Sequence, residues 1–132
     1  MKKRSIFNFG FTLLEMLVVI GIIAVLMGMG AVSYSTAQKK ARDAKRKEDL
    51  KTIQNALEQY YSICGYQYPT PAGNRFNPIV CLSPSTMLLP TVPVDPKTSI
   101  PYPCNSCSGD RYSICTTLET ETSNPYCVEN KQ

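Results

Sequence analysis

Histidine is absent from this 132-residue chain, and the first 63 residues contain neither proline nor cysteine. Each absence excludes something. Without His, the commonest general base and the commonest metal-binding ring are missing. There is no G-x-S-x-G, no phosphate-binding P-loop, and no close pair of carboxylates in the C-terminal half. An enzyme is not expected, nor any metal or organic cofactor. Without Pro, nothing interrupts a helix through the first 63 positions. All ten prolines and all six cysteines lie at or after Cys64. A long helix followed by a small, turn-rich domain is therefore expected.

Charge is scarce in one place. From Phe11 to Val32 there are 22 residues and a single charged one, Glu15. At 1.5 Å per residue this run is ~33 Å long as a helix, enough to cross a hydrocarbon core of about 30 Å. It is too long for a cleaved secretory signal, and no A-x-A-like site follows it. A domain of about 65 residues is also too small to cover it on all sides. A membrane anchor is expected. Glu15 is its anomaly: an ionised carboxylate there costs on the order of a few kcal/mol. Two readings stay open from the residues alone. The carboxylate snorkels or is protonated, or it awaits a cation.

The net charge of +4 does not point to a polyanionic partner. Lys2, Lys3 and Arg4 supply three of those charges, and residues 66–132 hold four basic and five acidic side chains. The stretch "KKARDAKRKEDLK" lacks interleaved aromatics and carries Asp43, Glu48 and Asp49 at spacings for local ion pairs. It reads as a solvated helix face, and no nucleic acid is expected as a partner. Charge alone does not orient the anchor, since 39–51 carries seven basic and three acidic residues. The cysteines do. Six Cys without His, and with a single C-x2-C pair, read as a disulfide framework on an oxidising side rather than as zinc ligands. The C-terminal domain is expected outside and the N-terminus in the cytoplasm.

The stretch "KKRSIFNFG/FTLLEMLVVIGIIAVL" closely resembles the class III signal of type IV pilins and type II secretion pseudopilins. Its marks are the basic leader, Gly10, Phe11, the fifth-position Glu15 and the apolar run, and they cover roughly residues 1–35. The resemblance implies cleavage between Gly10 and Phe11 by a prepilin peptidase, N-methylation of Phe11, and docking of subunits through Glu15 and a neighbour's Phe11 amine. It also implies an inner-membrane assembly platform, other copies of the chain as partners, and an extracellular or periplasmic filament. Where many members carry proline, this chain has Val32. Gly21, Gly28 and Gly30 either loosen the helix there or permit close packing. Some major pseudopilins bind calcium in a C-terminal loop; Asp95, Asp110 and Glu119 form no such ligand cluster, and no metal site is expected.

The expected fold is α+β: a long N-terminal helix packed on a small, disulfide-rich antiparallel sheet of about three strands. Four segments follow: a leader over 1–10, a transmembrane or filament-core helix over 11–32, its amphipathic continuation over 33–64, and a Cys- and Pro-rich domain over 65–132. Tyr34, Ala37, Ala41 and Ala44, then Leu50, Ile53, Leu57 and Tyr60, recur at helical steps. Leu50, Ile53, Ala56, Leu57, Tyr60 and Tyr61 are expected against the domain, and Gly65 at the helix end. Strands are predicted at Arg111–Glu119, Tyr126–Glu129 and near Pro101–Asn105, with a turn over 120–125 and a helical turn at Ser85–Leu89. Six cysteines allow fifteen pairings. The set expected is Cys64–Cys81, Cys104–Cys107 and Cys115–Cys127. Redox activity of Cys104 and Cys107 is disfavoured, because no βαβ context surrounds them. The functional expectation is a structural filament subunit for secretion, DNA uptake, adhesion or motility. The competing one is a minor pilin or anchored module binding a surface or DNA.

Overall fold

The computed structural model describes residues 10–121, 123 and 125–132. The basic leader residues Lys2–Arg4, and Thr122 and Asn124 of the expected turn, lie outside them. The chain divides into two units, Met1–Ala37 and Gln38–Gln132. A single helix, α1 (Leu13–Ile63), contributes to both. In the first unit every described helical side chain is exposed, and the segment is apolar on all its faces instead of along one stripe.

In the second unit α1 becomes one-sided. Leu50, Ile53, Ala56 and Leu57 are buried at steps of three, three and one, with Tyr60 and Tyr61 packed on the same cluster. The helix stops as a left-handed cap requires: Gly65 has φ +89°, and the Tyr66 amide donates back to the Tyr61 carbonyl at 3.0 Å. Five strands follow in two antiparallel sheets. β1 (Ile79–Leu82) pairs with β2 (Ser85–Leu89), and β4 (Tyr112–Thr116) lies between β3 (Cys104–Cys107) and β5 (Tyr126–Glu129). Tyr112, Ile114, Val128, Cys104 and Ile79 point inward and complete the core with Tyr68, Phe76 and Tyr102. Glu58 on the helix accepts hydrogen bonds from the Tyr112 hydroxyl at 2.6 Å and from the Lys131 amide at 3.1 Å, which holds the C-terminal segment.

The α+β expectation holds, with the three-stranded sheet in place. Its details are corrected in three ways. Ser85–Leu89 is a strand and not a helical turn, because Val80, Cys81 and Leu82 stand ready as antiparallel partners for Met87, Thr86 and Ser85. β3 begins at Cys104 instead of Pro101, since Pro101 and Pro103 have no amide to give a ladder. β4 ends at Thr116 instead of Glu119, because the amides of Glu119 and Thr120 turn away to the Asp43 carboxylate, each at 2.8 Å.

Asp43 belongs to a buried ionic clasp. The helix face expected in water instead buries Asp43, Arg46 and Asp49, while Ala41 and Ala44 are exposed. Arg46 donates from Nε to Asp95 at 2.6 Å and from Nη1 to Asp43 at 2.8 Å, and its Nη1 lies 3.1 Å from Glu119. Arg42 adds a two-pronged pair to Glu119, both contacts at 2.8 Å. Asp95 in turn accepts the amides of Lys97 and Thr98, so one carboxylate shapes its loop and ties it to the helix. Asp49 accepts the Tyr102 hydroxyl at 2.9 Å. No described buried side-chain polar atom is left without a partner. A cluster this far from water is tolerable only under that condition.

The clasp sets the acid behaviour. Burial pushes the Asp43 carboxyl up, but hydrogen bonds from Glu119, Thr120 and Arg46 outweigh it and hold the group at about 2. Asp95 is likewise raised by burial and lowered more by Arg46, Thr98 and Lys97, to about 2. Arg42 first, and then Arg46 against the opposing effect of burial, bring Glu119 to about 2. All three lie below their ordinary values of 3.8 for Asp and 4.5 for Glu. The unfolded chain therefore binds more protons in acid. The stabilisation is full above the ordinary carboxylate range and is lost as the pH falls towards 2. Urea midpoints of the oxidised full chain in detergent are expected to be level from neutral pH to about 5 and to drop steeply between about 4.5 and 2. Arg46→Met leaves Asp95 without its cation and takes one partner each from Asp43, which keeps the Glu119 and Thr120 amides, and Glu119, which keeps Arg42. The substitution is expected to cost about 3–5 kcal/mol at neutral pH and to make the acid limb shallower, since Asp95 loses its main lowering partner while Asp43 and Glu119 keep theirs.

Candidate functional site

The N-terminal motif residues meet at the first turn of α1. Thr12 and Glu15 form a reciprocal cap: the Thr12 amide and hydroxyl each donate to Glu15 Oε2 at 2.9 Å, and the Glu15 amide donates to Thr12 Oγ1 at 3.2 Å. This is the S/T-x-x-E capping box, which satisfies helix-start donors that have no partner within the helix. Its spacing stands in the sequence as Thr12-Leu-Leu-Glu15, but the sequence reading treats Glu15 as a membrane anomaly and a docking residue and not as a cap. The cap occupies Oε2 and leaves Oε1 without a partner among the described residues. One oxygen thus starts the helix while the other remains available to a cation.

Gly10 and Phe11 precede this turn and are exposed, Phe11 by 79%. A Cβ at Gly10 would meet nothing within 4 Å, and its φ is not in the left-handed region. Nothing in the fold requires glycine there. The apolar residues after it, Leu13 to Met29, are between 46% and 82% exposed wherever they are large.

The basic flank is mostly neutralised by its own domain. Besides the Arg42 and Arg46 contacts, Lys45 lies 3.2 Å from Glu48 and 3.3 Å from Asp49. Lys47 lies 2.8 Å from Glu121 and stands 5.5 Å over the Tyr126 ring. Among the described residues Lys39, Lys40 and Lys51 have no acidic partner. The partners of Arg46 at Asp95 and Glu119 lie 49 or more positions away in sequence, out of reach of any local spacing rule. Asp110 lies outside this cluster, and the cation at the centre of Asp43, Asp95 and Glu119 is the Arg46 guanidinium.

The cysteines are joined Cys64–Cys81, Cys104–Cys107 and Cys115–Cys127. The first ties the end of α1 to β1, the second closes β3 on itself, and the third links directly opposed residues of β4 and β5. Cross-links of this kind constrain the unfolded chain, more so for longer loops, and they suit a domain with so small a core.

Comparison with known proteins agrees with the N-terminal geometry. Residues 8–31 match the family model of the prokaryotic N-terminal methylation motif. Over 61 residues the chain is 39% identical to the type II secretion system core protein G of Escherichia coli, a match that covers 46% of this chain and 41% of that protein. The chain thus spans about two fifths of the length of that relative. No solved structure matches. The capped, exposed apolar helix thus begins within the segment that matches the methylation motif, and over part of its length the chain is similar to a type II secretion protein.

Proposed function

We propose that this chain is the structural subunit of a type IV pilus-like filament. In this reading the apolar part of α1 first anchors it in a membrane as a single span, with the C-terminal unit on the oxidising side where its three disulfides persist. A prepilin peptidase cuts between Gly10 and Phe11 and methylates the new Phe11 amine. An inner-membrane platform then moves the subunit into a bundle of identical helices. The observation that carries this is the pairing of a methylation motif with a helix that its own chain leaves uncovered. Leaving lipid for an apolar bundle changes hydrophobic burial little, so packing and polar contacts must favour assembly. Glu15 Oε1, without a partner among the described residues, is the group suited to meet the Phe11 amine of the next subunit.

Two outcomes test this. Since Gly10 is free of steric demands in the fold, Gly10→Val is expected to leave folding unchanged while abolishing cleavage. Intact-mass measurement of membranes should find residues 1–10 still attached; a shortened, methylated product from this variant would refute the cleavage site. Glu15→Gln keeps a side chain able to close the capping box but removes the charge. Processing is expected to continue, and recovery of sheared filaments to fall at least about tenfold. Filament yield equal to the wild type would reduce Glu15 to a cap.

A further inference from the structure

We propose that Lys39 and Lys40 form a headgroup site for anionic phospholipid, in the leaflet facing the C-terminal unit. The proposal rests on the reading of the apolar part of α1 as a membrane span. Three observations lead to it. First, every other basic side chain from Gln38 to Lys47 is consumed by carboxylates of its own unit: Arg42, Lys45, Arg46 and Lys47. Lys39 and Lys40 are adjacent, exposed, and without an acidic partner among the described residues. Second, the chain order is that of a membrane boundary. The apolar run ends, Tyr34 follows with 67% exposure, and the two lysines come five and six positions later. An amphipathic ring followed by long basic side chains is how helices mark the headgroup layer. Third, no aromatic is interleaved between the lysines and the next basic residues, which leaves a compact cationic pair matched to phosphates rather than a stacking platform for bases.

The pairing of the other four bases is what makes the site selective. A flank with seven uncompensated charges would attract any polyanion. The folded unit cancels its own share and leaves the excess beside the membrane boundary. Each lysine close to an anionic surface raises partitioning about fivefold, and salt screens the effect over about 10 Å at 0.1 M. The subunit is thereby held by headgroups as well as by its apolar helix, and leaving the membrane requires both to be given up.

The test uses the oxidised full chain in bilayer discs of equal phosphatidylglycerol and phosphatidylcholine, extracted gently and weighed with its retained lipid. The wild type is expected to keep phosphatidylglycerol over phosphatidylcholine by at least about fivefold at low salt, and to lose the preference near 1 M salt. Lys39→Gln/Lys40→Gln is expected to lower the preference at least about fivefold from the wild-type value, whatever Lys2, Lys3 and Arg4 at the other end of the run contribute, with disulfides and thermal melting unchanged. Lys51→Gln, which removes the other unpaired lysine of the helix, is expected to behave as wild type. An undiminished preference in the double variant overturns the site, as does its loss in Lys51→Gln. A wild type that enters phosphatidylcholine discs yet shows no preference overturns the site while the span stands. A wild type that enters no disc at all removes the span and this inference with it. Capture of a double-stranded oligonucleotide that depends on Lys39 and Lys40, without lipid preference, decides for nucleic acid and against the membrane.

Discussion

One helix has to satisfy two different surroundings, and the rest of the molecule follows from that constraint. Over its first turns α1 presents apolar side chains on every side, and those described are exposed. Beyond Gln38 the same helix is the wall against which a small domain forms. A helix is the element that allows this, because its backbone hydrogen bonds close within the segment and do not depend on what lies outside. The absence of proline up to Ile63 keeps that ladder intact, and the capping box at Thr12 and Glu15 and the left-handed turn at Gly65 close its ends.

The domain on this helix has a modest apolar core, centred on Leu50, Ile53, Leu57, Tyr112 and Ile114. Two polar devices extend it. At one side Arg46 gathers Asp43, Asp95 and Glu119, so that two loops share a single guanidinium. At the other Glu58 gathers the Tyr112 hydroxyl and the Lys131 amide. Buried ion pairs seldom add much net stability over apolar packing, because desolvation offsets attraction. Their effect here is positional. Loops that carry prolines and little apolar surface acquire one fixed attachment to the helix.

Much of this was legible in the sequence, for reasons that differ by residue. The core face of α1 was readable because Leu50, Ile53 and Leu57 obey a helical period. Gly65 was readable as a stop, β4 by the alternation of Tyr112, Ile114 and Thr116, and β5 as its hairpin partner beyond the turn. The N-terminal motif was readable residue by residue. The first sheet was missed because Ser85–Leu89 has no alternation of its own and takes its conformation from β1. The clasp was missed because local spacing paired Asp43 and Asp49 with near neighbours. Their burial depends on Asp95, Glu119 and Tyr102, brought in by the fold from about 50 to 76 positions away. Thr12 was visible, yet its capping role was hidden behind the membrane question that Glu15 raised.

The attachments between α1 and the rest of its domain differ in kind, and that has a mechanical consequence. The Arg46 cluster grips the helix near the start of the domain; the Cys64–Cys81 bond grips it at the far end, about five turns on. Tension applied along the helix from its N-terminal side reaches the ionic grip first and the covalent one last. The loops around Asp95 and Glu119 act as a yielding element, and the bond at Cys64 as the stop. A domain strung in this way can give under load without parting from its helix.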